Sequence, residues 1–179
     1  MLNEQIANRE QRCSDLRLLE QAFGSQGILA LRIDASGPTI AGIANQLLQS
    51  TFGARFALRI VTQRSKVDGS LAEDCDVLVS DSQTDEVASL RNKSGGEKVW
   101  LDDALARAIA VFLREEKGQV FATFLSDEAD GALDQDRKRS FTGMKRESLR
   151  LSGMVREIFI SHDPDARNEA DVVIDISAL

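Results

Sequence analysis

The chain has 179 residues, of which 42% are hydrophobic and 28% are charged, a composition that predicts one folded domain rather than a disordered segment. Its longest apolar run, residues 120–125, is far shorter than the roughly 20 residues of a membrane helix, and the N-terminus has no signal-peptide pattern, so we expect a cytoplasmic protein without membrane contact. The formal net charge of −7 provides no overall attraction to nucleic acid, so any contact with DNA would require a local basic patch or further chain segments.

The first predicted element is an N-terminal helix. Residues 2–23 are mostly polar, lack glycine and proline, and carry apolar side chains at helical or heptad spacing. Residues 1–23 are therefore either the stump of a longer coiled coil or an ordinary amphipathic helix, and the periodicity does not separate the two. Residues 28–35 fit a helix and a strand equally well, and Pro38 occupies the first turn of a predicted helix over residues 38–51.

An antiparallel pair of strands is predicted next. Residues 55–62 alternate with the two-residue period of a strand, and residues 76–80 form a second short run rich in β-forming residues. The connector between them contains Gly69, which favours a two-stranded antiparallel pair. Residues 81–93 are polar and predict a loop. A long helix follows and is expected to end near Gly118.

Three apolar runs follow this helix, over residues 120–125, 157–160 and 172–176. The first is apolar on both faces, as the strands of a helix-covered parallel sheet are, and the polar segment between the first two runs is long enough for a crossover helix. The predicted fold class is therefore α/β, with parallel strands flanked by helices and a small antiparallel pair upstream. We expect residues 24–179 to form this domain and residues 1–23 to precede it as a separate helix.

A glycine pair lies directly before the long helix, in the run Ser94-Gly95-Gly96-Glu97. Ser94 and Glu97 match the S-x-x-E capping box, in which each side chain binds a backbone N–H group at the other end of the first turn. The same run also suits a phosphate, because glycines let N–H groups approach an anion closely and a helix N-terminus carries partial positive charge. Both interpretations are open at this point.

Two adjacent carboxylates, Asp127 and Glu128, follow the strand predicted over residues 120–125. Ligands of open α/β sheets bind at the carboxyl edge of the strands, so the two acids lie where a site would form. In a phosphoryl-transfer site one carboxylate holds Mg²⁺, and a second can orient or deprotonate the attacking water. Paired acids also commonly end a strand and begin a solvated loop, so this motif is not specific by itself.

The one histidine of the sequence, His162, follows the next predicted strand. Its expected position is the edge that also holds Asp127 and Glu128, where an imidazole can hydrogen-bond a terminal phosphate or the attacking water. A lone histidine is more often structural than catalytic. Residues 131–134, which read Gly-Ala-Leu-Asp, predict only a turn into a helix when taken alone.

Taken in this order, the motifs resemble those of ABC-type ATPases. Residues 94–97 resemble the signature motif, residues 121–128 the Walker B strand, residues 131–134 the D-loop, and His162 the switch histidine. The upstream part of the chain is similar to the region before the signature in SMC-like ATPases of DNA double-strand-break repair, the group that includes SbcC. This similarity covers nearly the whole chain and rests upstream on residues 22–28, 44–48, 56–64 and 77–81.

The resemblance implies the fold and the activity of the C-terminal half of an ATP-hydrolysing head, with ATP and Mg²⁺ as cofactors. In this family two heads enclose two ATP molecules, and each site draws on both heads. On this chain the resemblance assigns support of Mg²⁺ to Asp127, activation of water to Glu128, and a contact with the γ-phosphate to His162.

The other part of the implied site faces the ATP that the opposite head holds. The resemblance assigns the contact with that γ-phosphate to the signature residues, and the connection between the two sites to Asp134. The signature residues are Ser94, Gly95, Gly96 and Glu97.

Two departures from the family pattern affect these expectations. Lys93 stands where the family usually has leucine, which leaves the packing of the signature loop open. No G-x-x-x-x-G-K-[ST] P-loop occurs in the 179 residues, so we expect the chain to be inactive by itself and to need a lobe that carries the P-loop. The sequence is compatible both with a fragment of a longer head and with a separate subunit.

Further partners follow from the resemblance alone. They are a second copy of the head in an ATP-dependent dimer, a nuclease subunit that docks near residues 1–23, and DNA bound through the complex. Two alternatives stay open: a head of another ABC branch, such as a chromosome-organising SMC head or a transporter subunit, and an inert module that only dimerises. The presence of both Asp127 and Glu128 argues against the inert module.

Overall fold

The computed structural model describes residues 2–24, 27–65, 71–118, 122–129, 133, 135–162 and 164–175. The chain divides into two compact units. The smaller comprises Met1–Pro38 with Ile60–Asp76, and the larger comprises Thr39–Arg59 with Val77–Leu179. All candidate site residues belong to the larger unit, and the domain boundary predicted after residue 23 stays a prediction.

Two helices begin in the smaller unit. Helix α1 spans Leu2–Phe23, and its side chains from residue 4 to residue 21 are exposed. Helix α2 spans Ile28–Phe52, so the prediction that it begins at Pro38 is wrong. Pro38 lies inside α2, where it supplies no N–H group for the carbonyl of Asp34, and the ambiguous residues before it are helical. Among the described residues no helix combines the length and the apolar character that a membrane span requires.

The first sheet has three strands in the order β1–β2–β3. The N–H group of Ser82 donates to the carbonyl of Arg55 at 2.8 Å, which sets the end of β2 beside the start of β1 and confirms the predicted antiparallel pair. Strand β3 pairs antiparallel with β2, and Leu78 lies opposite Ser89. The strands are β1 (Phe56–Ser65), β2 (Leu71–Asp81) and β3 (Glu86–Ser89).

The loop predicted over residues 81–93 is wrong in part. The segment contains β3 and a 3-10 turn, Leu90–Asn92, after a tight turn in which Asp85 has a φ of 54°. Strand β3 has only four residues and one exposed half, so its sequence lacks the alternation that marks a strand. Pairing with β2, rather than local preference, forms it.

The larger unit contains a β-α-β crossover that carries two of the candidate motifs. Helix α3 spans Gly95–Lys117 and ends at Gly118, whose φ of 58° is the left-handed cap that glycine favours, as predicted. Strands β4 (Thr123–Asp127) and β5 (Arg156–Ile160) are parallel, and helix α4 (Gln135–Ser152) connects them, which confirms the crossover helix.

The core of the larger unit joins α2, the first sheet, α3 and α4. The indole of Trp100 stacks on Phe52 at a centroid distance of 4.0 Å and meets Phe56 edge-on at 4.7 Å. The buried core residues are Ala44, Leu47, Leu48, Phe56, Leu58, Val79, Leu90, Trp100, Leu101, Ala104, Ala108, Leu133, Phe141 and Met144.

In the part of the chain that the structure describes, the parallel β4–β5 sheet is covered on one face only. Leu125 is 72% exposed, and Ile158, its partner in register, and Ile160 are also exposed. The prediction that this strand is buried on both faces is therefore wrong for this chain. In the third apolar run, after helix α5 (Pro164–Glu169), residues 172–175 form no strand and Val172 is exposed, while residue 176 lies outside the described residues.

Candidate functional site

The carboxyl ends of β4 and β5 meet at one edge of the parallel sheet. Asp127, the last residue of β4, lies opposite Ile160, the last residue of β5. Glu128 follows directly, and its N–H group donates to the carbonyl of Ile160 at 2.9 Å. His162 comes two residues after β5, and its Nε2 lies 2.8 Å from Oε1 of Glu128. Three of the predicted site residues therefore share this edge.

Glu128 has an unusual backbone conformation. Its φ is 45°, in the left-handed region where a non-glycine residue is disfavoured by roughly 1–3 kcal/mol. The hydrogen bond to Ile160 holds the conformation, and the side chain reaches His162. Residues held in such regions are concentrated at functional sites, and no local sequence pattern indicates this one.

The contact between Glu128 and His162 is open to solvent. The two side chains are 58% and 87% exposed, and an exposed pair of this kind adds little to the stability of a fold. Both polar groups therefore remain accessible to a ligand. The two side chains are brought together because the ends of β4 and β5 pair, and not because they pack in the core.

A buried charge network lies under this edge, and the sequence interpretation missed it. Arg107 of α3 is fully buried and binds Glu157 of β5 with two hydrogen bonds, at 2.7 and 2.8 Å. It also binds Asp103 at 2.5 Å. Ser126, the neighbour of Asp127, donates to Glu157 at 2.7 Å, and Lys145 lies 3.4 Å from the same carboxylate. The network thus connects α3 and α4 to both strands that carry the candidate site.

The ionisation of this network follows from burial and pairing. Burial acts to raise the pKa of Glu157, but the hydrogen bonds and charge of Arg107 outweigh it, so the pKa of Glu157 is lowered. Burial raises the pKa of Asp103 and lowers that of Lys145. The available sequence signal was Arg107 itself, a charged residue in the apolar stripe of α3 next to the buried Ala108.

Ser94, the first residue of the predicted signature, is the N-cap residue of α3. Its side chain makes no capping hydrogen bond, and the first helical bond runs from the N–H group of Lys98 to the carbonyl of Ser94 at 2.8 Å. The hydroxyl of Ser94 instead donates to Glu97 at 3.3 Å, and the carboxylate of Glu97 accepts from Arg55 at 2.8 Å. The capping box that the sequence allowed does not form.

Nothing in the described part of the chain explains the glycine at position 95. A methyl group there would meet no atom within 4 Å, and the φ of Gly95 lies outside the left-handed region. Neither packing nor backbone strain therefore requires glycine. A glycine at a helix N-terminus leaves room for a group from outside the chain, such as a phosphate, to approach the backbone N–H groups.

Lys93 directly precedes the predicted signature residues. Its side chain is only 7% exposed, so the aliphatic stem is buried as a leucine would be. The ammonium group lies 3.8 Å from the carboxylate of Glu86. The lysine therefore packs at this position, which the sequence had left open.

Ser94 and the strand edge are held by different parts of α3. Ser94 precedes the helix, whereas Arg107 reaches Glu157 from its middle. Thirteen residues of helix correspond to roughly 20 Å at the usual rise. Of the remaining predicted site residues, Asp134 and the glycine of the proposed D-loop lie outside the described residues, and Gly96 is half-buried in the first turn of α3.

The donors present suit Mg²⁺ only as part of a larger site. Among the described residues there is no group of three or more His, Cys, Asp or Glu side chains placed to hold a metal ion. Asp127 supplies one carboxylate at the strand end. Mg²⁺ commonly takes one or two protein carboxylates and completes its shell with phosphates and water, so a single aspartate fits a nucleotide-bound ion.

No protein-family model matches the chain. The chain is 24% identical over 177 residues to a DNA double-strand break repair Rad50 ATPase of Thermoplasma acidophilum, a match that covers 98% of this chain and 18% of that protein. The chain thus spans less than a fifth of the length of this curated relative.

Solved structures of SMC proteins share the fold. One, from work on ATP-driven dimerisation and DNA-stimulated activation of SMC ATPases, has a TM-score of 0.61 at 16% identity, over 82% of this chain and 81% of that one. An Smc head domain with a coiled coil and joint from Pyrococcus yayanosii has a TM-score of 0.59 at 18% identity, over 94% of this chain and 29% of that one. The chain therefore has the fold of the C-terminal portion of an SMC-like ABC-type ATPase head.

Proposed function

We propose that the chain is the C-terminal half of an ATP-hydrolysing head that acts in DNA double-strand-break repair or DNA-end processing. The observation that carries the proposal is the strand edge at which Asp127, Glu128 and His162 meet, with 2.8 Å between Glu128 and His162. Along the chain, the helix that begins with a glycine pair comes first and the residues of this strand edge follow, which is the order of the ABC motifs. The match to a double-strand-break repair ATPase supports the repair role over other roles of the same fold.

At the strand edge, the imidazole of His162 is placed to contact either Glu128 or a bound phosphate. Nε2 of His162 lies 2.8 Å from Oε1 of Glu128. When a γ-phosphate arrives, the imidazole can donate to a phosphate oxygen instead, which frees the carboxylate of Glu128 to accept a proton from the attacking water. Asp127 would support Mg²⁺, which offsets charge on the phosphates when it is bound.

The signature residues would act on a different ATP molecule. Ser94, Gly95 and Gly96 lie at the uncapped N-terminus of α3, where backbone N–H groups can approach a phosphate. The distance along α3 keeps them away from the strand edge that carries Glu128 and His162. We therefore assign them to the γ-phosphate of ATP held by a second copy of the head, with Asp134 connecting the two sites.

A lobe that carries the P-loop would cover the open face of the β4–β5 sheet. Parallel sheets are normally buried on both faces, and two strands are fewer than an independent sheet needs. The exposed Leu125, Ile158 and Ile160 form an apolar surface suited to such a lobe. Val172 and its neighbours, also exposed, would pack or pair there as well.

The remaining partners belong to the same proposal. Helix α1 would be the base of a coiled coil, because its side chains stand exposed, and a nuclease subunit would dock there. DNA would bind through the assembled complex, since the net charge of −7 does not favour the chain itself. A second candidate function is a chromosome-organising SMC head, favoured by the fold shared with SMC heads.

The test combines the chain with a lobe that carries the P-loop. We expect the mixture to hydrolyse ATP with Mg²⁺, whereas neither part alone does so, and we expect DNA ends to stimulate hydrolysis in the presence of a nuclease partner. Hydrolysis that circular DNA stimulates as well as linear DNA favours the chromosome-organising candidate. A tight complex of the two lobes that never hydrolyses ATP would make the chain an inert module.

A further inference from the structure

Arg55 connects the signature loop to the first sheet. It lies at the end of the 3-10 turn before β1 and binds Asp81, at the end of β2, through two hydrogen bonds of 2.9 and 3.2 Å. The same guanidinium donates to Glu97 at 2.8 Å and lies over the ring of Phe56 at 4.2 Å. Ser94 in turn donates to Glu97, so a continuous chain of hydrogen bonds runs from Asp81 to the signature serine.

The hydrogen bond from Arg55 to Glu97 is an alternative to a capping box at the start of α3. Ser94 and Glu97 have the spacing of a capping box, in which Glu97 would bind the N–H group of Ser94 and the hydroxyl of Ser94 would bind the N–H group of Glu97. That arrangement would fill the helix N-terminus with the side chains of the protein itself. In the structure the carboxylate of Glu97 instead accepts hydrogen bonds from Arg55 and from the hydroxyl of Ser94, and Ser94 makes no capping bond.

Asp81 holds the guanidinium of Arg55 in the orientation in which it contacts Glu97. Asp81 is buried and accepts a further hydrogen bond from the N–H group of Gln83 at 2.9 Å. The hydrogen bonds of Arg55 lower the pKa of Asp81, so the carboxylate stays ionised at neutral pH. A two-bond pair between arginine and a carboxylate has a defined orientation, and it leaves the second edge of the fork for Glu97.

We propose that Arg55 is a positioning residue that keeps the N-terminus of α3 open to a phosphate by preventing Ser94 and Glu97 from capping it. This inference rests on the proposed function of the signature loop, and it adds a residue that lies far from the motif in the sequence. Gly95, which the chain itself does not require, is consistent with an N-terminus kept free for an outside group.

The first arm of the test needs only the 179-residue chain. Arg55→Met is made together with Asp81→Asn, so that no buried carboxylate is left unpaired, and it is compared with Asp81→Asn alone. We expect the amide hydrogen exchange of Ser94 and Glu97, followed by NMR, to slow about tenfold in the double variant because the capping box forms. Unchanged exchange at both amides overturns the proposal. Arg146→Met, which removes another arginine that binds a carboxylate, should leave both amides unaffected.

The second arm uses the chain assembled with its P-loop lobe. Arg55→Met with Asp81→Asn should weaken ATP-dependent dimerisation about tenfold, and adding Glu97→Ala should restore most of it, because no glutamate is left to close the cap. A purely structural role for Arg55 predicts no such rescue, and its absence overturns the proposal. If the unaltered head does not dimerise with ATP, the proposed function fails, while the exchange of Ser94 and Glu97 still decides whether Arg55 prevents the cap.

Discussion

Glu128 combines a strained backbone with an exposed carboxylate, and this combination makes it the residue to test first. Glu128→Gln keeps the size and shape of the side chain beside His162 but removes the proton acceptor. In the assembled head we expect turnover to fall about 100-fold or more, with ATP binding retained and a longer-lived ATP-bound dimer.

Phosphate release and size-exclusion chromatography with ATP measure the two effects. Glu147→Gln is the matched control, because Glu147 also pairs with a basic side chain but lies on α4 away from the strand edge. It should leave turnover unchanged. Hydrolysis at the unaltered rate by Glu128→Gln would remove Glu128 from the catalytic role.

Ser94 is the corresponding test at the other end of α3. Ser94→Arg places a bulky cation at the N-terminus that would receive the γ-phosphate of the opposite head. The ATP-dependent dimer should be lost, while the P-loop lobe still binds ATP, as equilibrium binding of a fluorescent nucleotide would show. Ala106→Arg adds the same side chain to an exposed position of α3 and should dimerise normally. Normal dimerisation of Ser94→Arg would contradict the composite site.

Helix α3 connects the signature to the strand edge through Arg107. Arg107→Met leaves the buried carboxylates of Glu157 and Asp103 without their main partner. We expect the free energy of unfolding to fall by about 3–5 kcal/mol, the usual result of breaking a buried pair. Urea unfolding of the chain at neutral pH measures it. Arg150→Met, which breaks a surface pair with Glu147, should have little effect, and equal losses in the two variants would argue against the network.

The same network predicts how stability depends on pH. The pKa of Glu157 is lowered in the folded chain, so its contribution is complete above its unfolded pKa and is lost as the pH falls through the folded value. Asp103, whose pKa is raised, changes in the opposite direction. Thermal unfolding should therefore move to lower temperature on acidification below about pH 4, with a shallower dependence in Glu157→Gln. An identical dependence in both proteins would show that Glu157 does not carry the effect.

The elements most visible in the sequence were those formed by local signals. The long periodic stripe and Gly118 marked α3, and the apolar runs and the polar segment between them marked β4, α4 and β5. The start of α2 was missed because proline commonly opens a helix, and β3 was missed because its ladder to β2, not its own composition, forms it.

The candidate site also has one part that could be predicted from the sequence and one part that could not. The strand edge with Asp127, Glu128 and His162 follows from strand order and could be predicted. The contacts of Arg55 with Asp81 and Glu97 and of Arg107 with Glu157 could not, because these partners lie 26, 42 and 50 residues away in sequence and no local pattern encodes such pairs. Only the pair of Arg107 with Asp103, four residues apart on α3, is local. The left-handed φ of Glu128 depends likewise on a hydrogen bond from another strand.

The 179-residue sequence contains no P-loop motif, and this has a direct test. Without a P-loop, the isolated 179-residue chain should show no micromolar affinity for ATP by calorimetry and no hydrolysis, with or without Mg²⁺. The same cell and buffer should give a clear binding isotherm once the P-loop lobe is added. Micromolar binding by the chain alone would mean that the nucleotide uses a site other than the composite one.

The uncovered face of the β4–β5 sheet also affects the solubility and the lifetime of the chain in a cell. An apolar surface around Leu125 and Ile158 that is left bare after synthesis is the kind of feature that chaperones hold and proteases remove, and it promotes aggregation. When the chain is produced alone, we expect its soluble yield to be low and its turnover fast. Producing it together with the lobe that covers this face should raise its abundance, so that the amount of one half limits the amount of the other.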